Sequence, residues 1–330
     1  MKRFFAILFS AALLISFTAC GTPQKNNSST LIQDEEETTQ KEEKVNKKEN
    51  AKNIALVMKT LTNPFFISME KGARKAESEF GINLTVKTGA KETSIEQQIA
   101  IVEELIDSKV DAIVIAPGSS TELIPVLKKA QDANIKIVNI DNRLDKKFSE
   151  KSGLKDVPFI SVDNEEGAYL SAKFISDKIK TSTEVVILEG IRGADNAEQR
   201  KKGATRAFSE NKYVKIVSSE TANWKIDEAV NVVSKMFDKN PNIKAVFCAN
   251  DMMALGVLQY IDTSNKSGIM VAGFDALDEA QKAIKDGKME VSIDQQADIQ
   301  GYTGVKYALD MLNGESVELE TMVDVKLISK

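Results

Sequence analysis

The sequence predicts an α/β protein made of two doubly wound parallel-sheet lobes, on three observations. Short apolar runs such as Ile54-Ala-Leu-Val-Met58 alternate with amphipathic stretches of helical period, and strands apolar on both sides belong to parallel sheets covered on both faces. The alternation halts near Ile140 and starts again at Phe159, so the pattern occurs twice. A chain of 330 residues, 42% hydrophobic and 28% charged, has enough apolar material for two cores.

In order, Asn53–Met58 reads as a buried strand, and Phe66, Met69, Ala73, Ala76 and Phe80 mark one side of a helix that Gly81 ends. A strand at Leu84–Val86, a helix carrying Ile95, Ile99, Val102, Leu105 and Ile106, and the strand Ala112–Ile115 follow. A helix around Leu123–Lys129 and the strand Ile135–Ile140 complete the first unit, and Asp141–Val157 reads as polar and turn-rich. The second unit has strands at Phe159–Val162, Val185–Leu188, Val214–Val217, Ala245–Cys248 and Ile269–Phe274, with helices ending near Ile179, Phe208, Phe237, Ile261 and Ile284. Past Ile293, a helix at about Asp298–Leu312 and a last strand near Val323–Ile328 remain.

Composition removes several function classes. Histidine is absent, which eliminates Ser-His and Cys-His nucleophile pairs and the commonest zinc ligand. A net charge of −5 with interspersed signs lacks the basic excess of a nucleic-acid binder. Two distant cysteines do not make a disulfide framework, and nothing points to a metal or other cofactor.

The N-terminus reads as an address. Met1-Lys2-Arg3 precedes an almost wholly apolar run from Phe4 to Phe17, the layout of an export signal over residues 1–19. Thr18-Ala19-Cys20 resembles the processing box of bacterial lipoproteins, which implies a lipidated Cys20 anchored to the cell membrane on its extracytoplasmic side; Phe17 stands where leucine is usual. Ordinary cleavage after Ala19 is the plainer reading. Residues 20–52 read as a tether, because six lysines and seven acids lie among polar residues that cannot bury a core.

Ligands of wound α/β sheets bind beyond the C-terminal ends of the strands. Those ends carry Asn63, Phe65 and Phe66, then Asp141 and Asn142, then Arg200 beyond a Gly-rich turn, then Trp224, Asn250, Asp275 and Gln295. Carboxylates, amides and a guanidinium bridge neighbouring hydroxyls, and aromatic rings cover the C–H faces of a sugar. Arg200 is expected to neutralise Asp141 or Asp275.

Leu61-Thr-Asn-Pro-Phe-Phe66, Ile140-Asp-Asn142, Ala245-Val-Phe-Cys-Ala-Asn-Asp-Met-Met-Ala-Leu-Gly256 and Val271-Ala-Gly-Phe-Asp275 together resemble the ribose-binding branch of type I periplasmic solute-binding proteins, over essentially all of residues 53–330. The resemblance implies two lobes, 53–162 with 296–323 and 163–295 with 324–330. It places their three hinge crossings near Val162-Asp163, Gln295-Gln296 and Asp324. It implies capture of a monosaccharide or polyol for an ABC permease. The contacts it implies are Asn63, Phe65, Phe66, Asp141, Arg200, Trp224, Asn250, Asp275 and Gln295, and Asn142 and Lys59 stand at further positions of that site. Lys59 replaces a small hydroxyl residue, Ala116 an amide, and Asn142 an arginine, although Arg143 is adjacent. Ribose itself is therefore in doubt, and a different pentose, a hexose, a polyol or a sugar acid all fit, Lys59 suiting an anionic group.

Plain readings stand beside these. Asp251 reads as a helix cap, Cys248 as core, Phe66 as both core and contact, Arg200 alternatively as a surface residue, and Lys59 alternatively as pointing to solvent. At the level of function, the alternative to transport is sensing, in which the closed lobes engage a membrane receptor or sensor kinase. Catalysis lacks a motif, and a repressor effector domain would follow a DNA-reading helix pair where this chain has an export signal.

Overall fold

A computed structural model of the chain describes residues 51–330. The expected signal segment, Cys20 and nearly all of the tether lie outside the described residues. The first unit runs β1 (Asn53–Met58), α1 (Pro64–Phe80), β2 (Asn83–Thr88), α2 (Ile95–Asp107), β3 (Ala112–Ile115), α3 (Ile124–Asp132), β4 (Lys136–Ile140), α4 (Lys146–Ser152) and β5 (Phe159–Ser161). The second runs α5 (Asn164–Ser176), β6 (Thr183–Glu189), α6 (Asp195–Ser209), β7 (Val214–Thr221), α7 (Ile226–Lys239), β8 (Ile243–Cys248), α8 (Asp251–Thr263), β9 (Met270–Ala272), α9 (Asp278–Lys285) and β10 (Val291–Asp294). The chain finishes with α10 (Ala297–Leu312), β11 (Glu320–Met322) and β12 (Lys326–Ser329).

Two six-stranded sheets result, ordered β11-β5-β4-β3-β1-β2 and β12-β10-β9-β8-β6-β7. The first is parallel throughout; in the second, β12 alone runs antiparallel, against β10. In β1, Ile54, Leu56 and Met58 join the apolar cluster that includes residues of α1 and α10, while Ala55 and Val57 join a second cluster with α2 and α3. That two-sided burial is why the strand is a continuous apolar run and does not alternate. The chain passes from one sheet to the other after β5, after β10 and after β11.

Three expectations are corrected. The strand at Phe159, counted by periodicity with the second unit, is β5 of the first sheet, paired with β4, because an apolar run does not encode which sheet it joins. Asp141–Val157 contains α4, started by Asp145, whose Oδ1 accepts from the Phe148 amide at 2.6 Å. No residue of α4 is buried, so it leaves no apolar stripe to read. The single last strand is in fact two, β11 beside β5 and β12 beside β10, in different sheets. Both are short edge strands with little buried side chain, so local patterning merged them into one.

The first sheet depends on close contact between α1 and α10. A Cβ at Gly72 would lie 1.8 Å from the Asp298 carbonyl oxygen, and one at Gly301 would lie 2.1 Å from that of Met69, so the two backbones touch where each helix has glycine. Cys248 is a buried free thiol whose pKa burial pushes well up, as expected of a core residue. Because neither backbone can yield locally, Gly301→Ala is expected to cost about 1–3 kcal/mol, read as a lower midpoint of chemical unfolding at unchanged m-value. An unchanged midpoint would contradict the contact.

Candidate functional site

The strand ends of both sheets meet around one small cavity of about 20 Å³. It is lined by Lys59, Asn63, Phe65, Phe66, Glu92 and Asp141 from the first lobe and by Asn196, Arg200, Trp224, Asn250, Asp275 and Gln295 from the second. Each lining side chain is positioned by a local device. Asn63 is the N-cap of α1: its Oδ1 accepts from the Phe65 amide at 3.1 Å, which leaves Nδ2 to donate to Glu92 Oε1 at 2.9 Å. Pro64 follows at the first helical position, where a missing N–H costs nothing. Phe65 and Phe66 then pack edge to face, centroids 5.0 Å apart, and Phe66 is both core and cavity wall. Asn250 caps α8 in the same way, accepting from the Met253 amide at 2.9 Å. Asp141, Trp224 and Asp275 all have positive φ, of 63°, 66° and 121°, conformations that cost on the order of 1–3 kcal/mol each and gather at functional sites.

Arg200 is 3% exposed and anchors the second wall. Its Nε donates to Asn164 Oδ1 at 2.8 Å, Nη1 to the Ala249 carbonyl at 2.9 Å, and Nη2 to Gln295 Oε1 at 3.2 Å. Gln295 Nε2 in turn donates to Asp275 Oδ1 at 2.7 Å, and the guanidinium lies 3.6 Å from that oxygen. The ring of Phe274 lies under the guanidinium at 3.8 Å. The surface reading of Arg200 is thereby excluded, and the neutralising partner in contact is Asp275. Burial lowers the Arg200 pKa, opposed in part by Asp275; burial pushes the Asp275 carboxyl well up, opposed by Arg200.

On the first wall Lys59, 3% exposed, points inward and pairs with Asp141 Oδ2 at 2.7 Å, contrary to the solvent-pointing alternative. Burial raises the Glu92 carboxyl, opposed by Lys59 and by the Asn63 bond. Two buried polar atoms on the lining have no partner, Trp224 Nε1 and Asn196 Oδ1. Such atoms cost on the order of 1–3 kcal/mol unless something occupies the cavity. The Trp224 ring reaches its place because residue 190 is glycine; a Cβ there would sit 2.0 Å from the indole.

All the expected contacts except Asn142 line the cavity. Asn142 is corrected: it is fully buried beside the cavity, its Nδ2 donating to the Pro117 carbonyl at 3.1 Å and its Oδ1 accepting from the Asn196 amide at 3.2 Å. Asp251 is corrected as well. The cap of α8 is Asn250, and the Asp251 carboxylate supports the Asp275 turn, accepting from the Leu277 amide at 2.9 Å and from Ser292 Oγ. Burial lifts the Asp251 pKa to about 7. Glu92 and Asn196 are lining residues that sequence reading missed. Glu92 follows β2 and yields to the rule applied to the other strand ends; Asn196 precedes Arg200 by one helical turn and shares its face. Among the described residues no group of three or more Asp, Glu, His or Cys side chains is arranged to hold a metal ion.

Glu189 ends β6 beneath the Gly190 turn and is 2% exposed. It accepts from Arg192 Nε at 2.8 Å and Ser219 Oγ at 2.6 Å, and pairs with Lys201 at 3.0 Å. Burial raises its pKa, but these partners outweigh burial and bring it from 4.5 to about 2. A depressed folded-state pKa means stability present above about 4.5 and lost as pH falls through about 2. The protein is therefore expected to be more heat-stable than Glu189→Gln at pH 6, with the gap closing between pH 4.5 and 2; a gap independent of pH would refute the network.

A family model described as periplasmic binding protein domain matches residues 54–316. The chain is similar to the D-ribose/D-allose-binding protein of Pseudomonas aeruginosa, 40% identical over 270 residues covering 81% of this chain and 84% of that protein. It is 34% identical to the D-allose-binding periplasmic protein of Escherichia coli over 282 residues, covering 84% and 90%. It also resembles the crystal structure of an ABC transporter solute-binding protein from Actinobacillus succinogenes with bound D-allose, at TM-score 0.80 and 40% identity, covering 84% of this chain and 97% of that one. The match over residues 54–316, and relatives of this identity and coverage, establish that the chain belongs to the periplasmic binding protein family.

Proposed function

We propose that the protein is an extracytoplasmic solute-binding protein that captures one neutral monosaccharide between its lobes by hinge closure and delivers it to an ABC permease. The observation that carries the reading is the cavity itself, whose opposing walls come from different lobes and present aromatic faces beside unpartnered hydrogen-bonding atoms. A ligand that satisfies both walls stabilises the closed form by its differential contacts.

Charge selects within the sugars. Lys59, the candidate for an anionic ligand, is engaged by Asp141, and the lining holds Glu92, Asp141 and Asp275 against Lys59 and Arg200. A sugar acid would bring a further carboxylate to a wall that already has more acids than bases. Neutral aldoses and polyols meet no such penalty. D-allose and D-ribose, named for the relatives, are the first candidates. The relatives are binding proteins, and the site has no paired nucleophile and base, so capture without a covalent step is the reading.

In a thermal-shift screen of residues 51–330, a neutral sugar is expected to raise the midpoint, by about 2.7 kcal/mol of added stability at a hundred times Kd. A response to sugar acids alone would overturn the charge argument. Arg200→Ala or Asp275→Ala is expected to weaken sugar binding at least thirtyfold, corresponding to about 2–5 kcal/mol for truncating a buried charged partner, with unfolding still cooperative. Equal affinity by calorimetry would remove these residues from the site. The lipoprotein reading of the N-terminus belongs to the same proposal: Cys20→Ala is expected to release the processed protein from membranes, and retention after leader cleavage would disprove the anchor.

A further inference from the structure

Helix α6 opens without a cap of its own. Its N-cap position is Ala194, which has no side-chain acceptor, and Glu198 accepts from the Gly193 amide at 3.0 Å, outside the helix. The first two amides of the helix are satisfied from the other lobe. Asp195 N donates to Ser120 Oγ at 3.0 Å, and Asn196 N donates to Asn142 Oδ1 at 3.2 Å. Ser120 and Asn142 follow β3 and β4 of the first sheet, whereas α6 follows β6 of the second.

We propose that Ser120 and Asn142 cap α6 across the cleft, acting as positioning residues that hold the lobes shut on the ligand without touching it. The acceptors are preorganised. Asn142 Nδ2 donates to the Pro117 carbonyl, and the loop behind it is pinned by Asn139, which donates to the Asn142 carbonyl at 2.9 Å and accepts from the Leu144 amide at 2.9 Å. Parting the lobes withdraws both acceptors and leaves the helix N-terminus to water. Closure therefore gains what an N-cap gives a helix, supplied from the opposing lobe. Asn196 connects this latch to the ligand: its amide is held by Asn142, its Nδ2 donates to Asp141 Oδ1 at 3.4 Å, and its buried Oδ1, with no partner, lines the cavity. A ligand hydroxyl donating to that oxygen would fix the residue on which the cap acts. The arrangement also accounts for Asn142 being buried beside the cavity and not in it.

The proposal rests on the reading that the cleft closes on a sugar. The test is Ser120→Ala in the full chain, with D-allose and D-ribose titrated by calorimetry and release followed by stopped flow. Removal of one acceptor is expected to raise Kd about three- to tenfold for every sugar the unsubstituted protein binds, equivalent to about 0.6–1.4 kcal/mol. The rise is expected as faster release, with the ratio of the two affinities preserved and the sugar-free melting midpoint unchanged. Unchanged Kd overturns the latch, and so does a changed ratio, which would make Ser120 a ligand contact. An equal loss of stability with and without sugar also overturns it, by making the role structural. Sugar binding by the unsubstituted chain with an unaffected variant sinks this inference alone; absence of sugar binding by the unsubstituted chain sinks both readings.

Discussion

A guanidinium buried almost completely from water is the constraint on which the rest of the second wall depends. Unpaired, such a group costs several kcal/mol, and Arg200 is tolerated because four elements are arranged to receive it. Asn164 comes from the start of α5, the Ala249 carbonyl from the end of β8, Gln295 from the end of β10, and Asp275 from the turn after β9. Phe274 supplies an apolar floor with the right quadrupole. The positive φ of Asp275 is held by the same set, since Gln295 donates to its carboxylate and Ser292 Oγ accepts from the next amide. A strained turn persists where its surroundings leave it no alternative.

That arrangement also reaches the chain crossings. Gln295 and Gln296 connect β10 to α10, and Gln296 Nε2 donates to the Asp324 carbonyl in another crossing. Gln300 on α10 donates to the Gln295 carbonyl. A residue that meets Arg200 inside the cavity is thus one bond from the segments that join the lobes. The coupling between ligand and lobe orientation has a short physical route through side chains already in contact, with α6 lying against the first lobe at its other end.

The first wall follows a different logic. Lys59 and Asp141 neutralise each other inside the cavity, and such a pair gives little net stability because desolvation offsets attraction. It fixes the orientation of both side chains and leaves remaining donors and acceptors directed by geometry. Glu92, bonded to Asn63 and close enough to Lys59 to feel its charge, extends that polar face. Phe65 and Phe66 provide the apolar complement.

The sequence by itself determined most of the strand and helix order, α4 and the split of β11 from β12 excepted, because hydrophobic periodicity is a local property, and it determined most of the lining, because ligands of wound sheets meet the residues beyond strand ends. Asn63, Arg200, Trp224, Asn250, Asp275 and Gln295 were legible for that reason. Only the tertiary structure decided how those groups pair. Lys59 turns inward since Asp141 waits across the sheet, and Asn142 serves the opposite lobe's helix in preference to the cavity. Each outcome depends on partners distant along the chain, and a hydrogen bond or ion pair between such partners leaves no mark in the spacing of either one's neighbours.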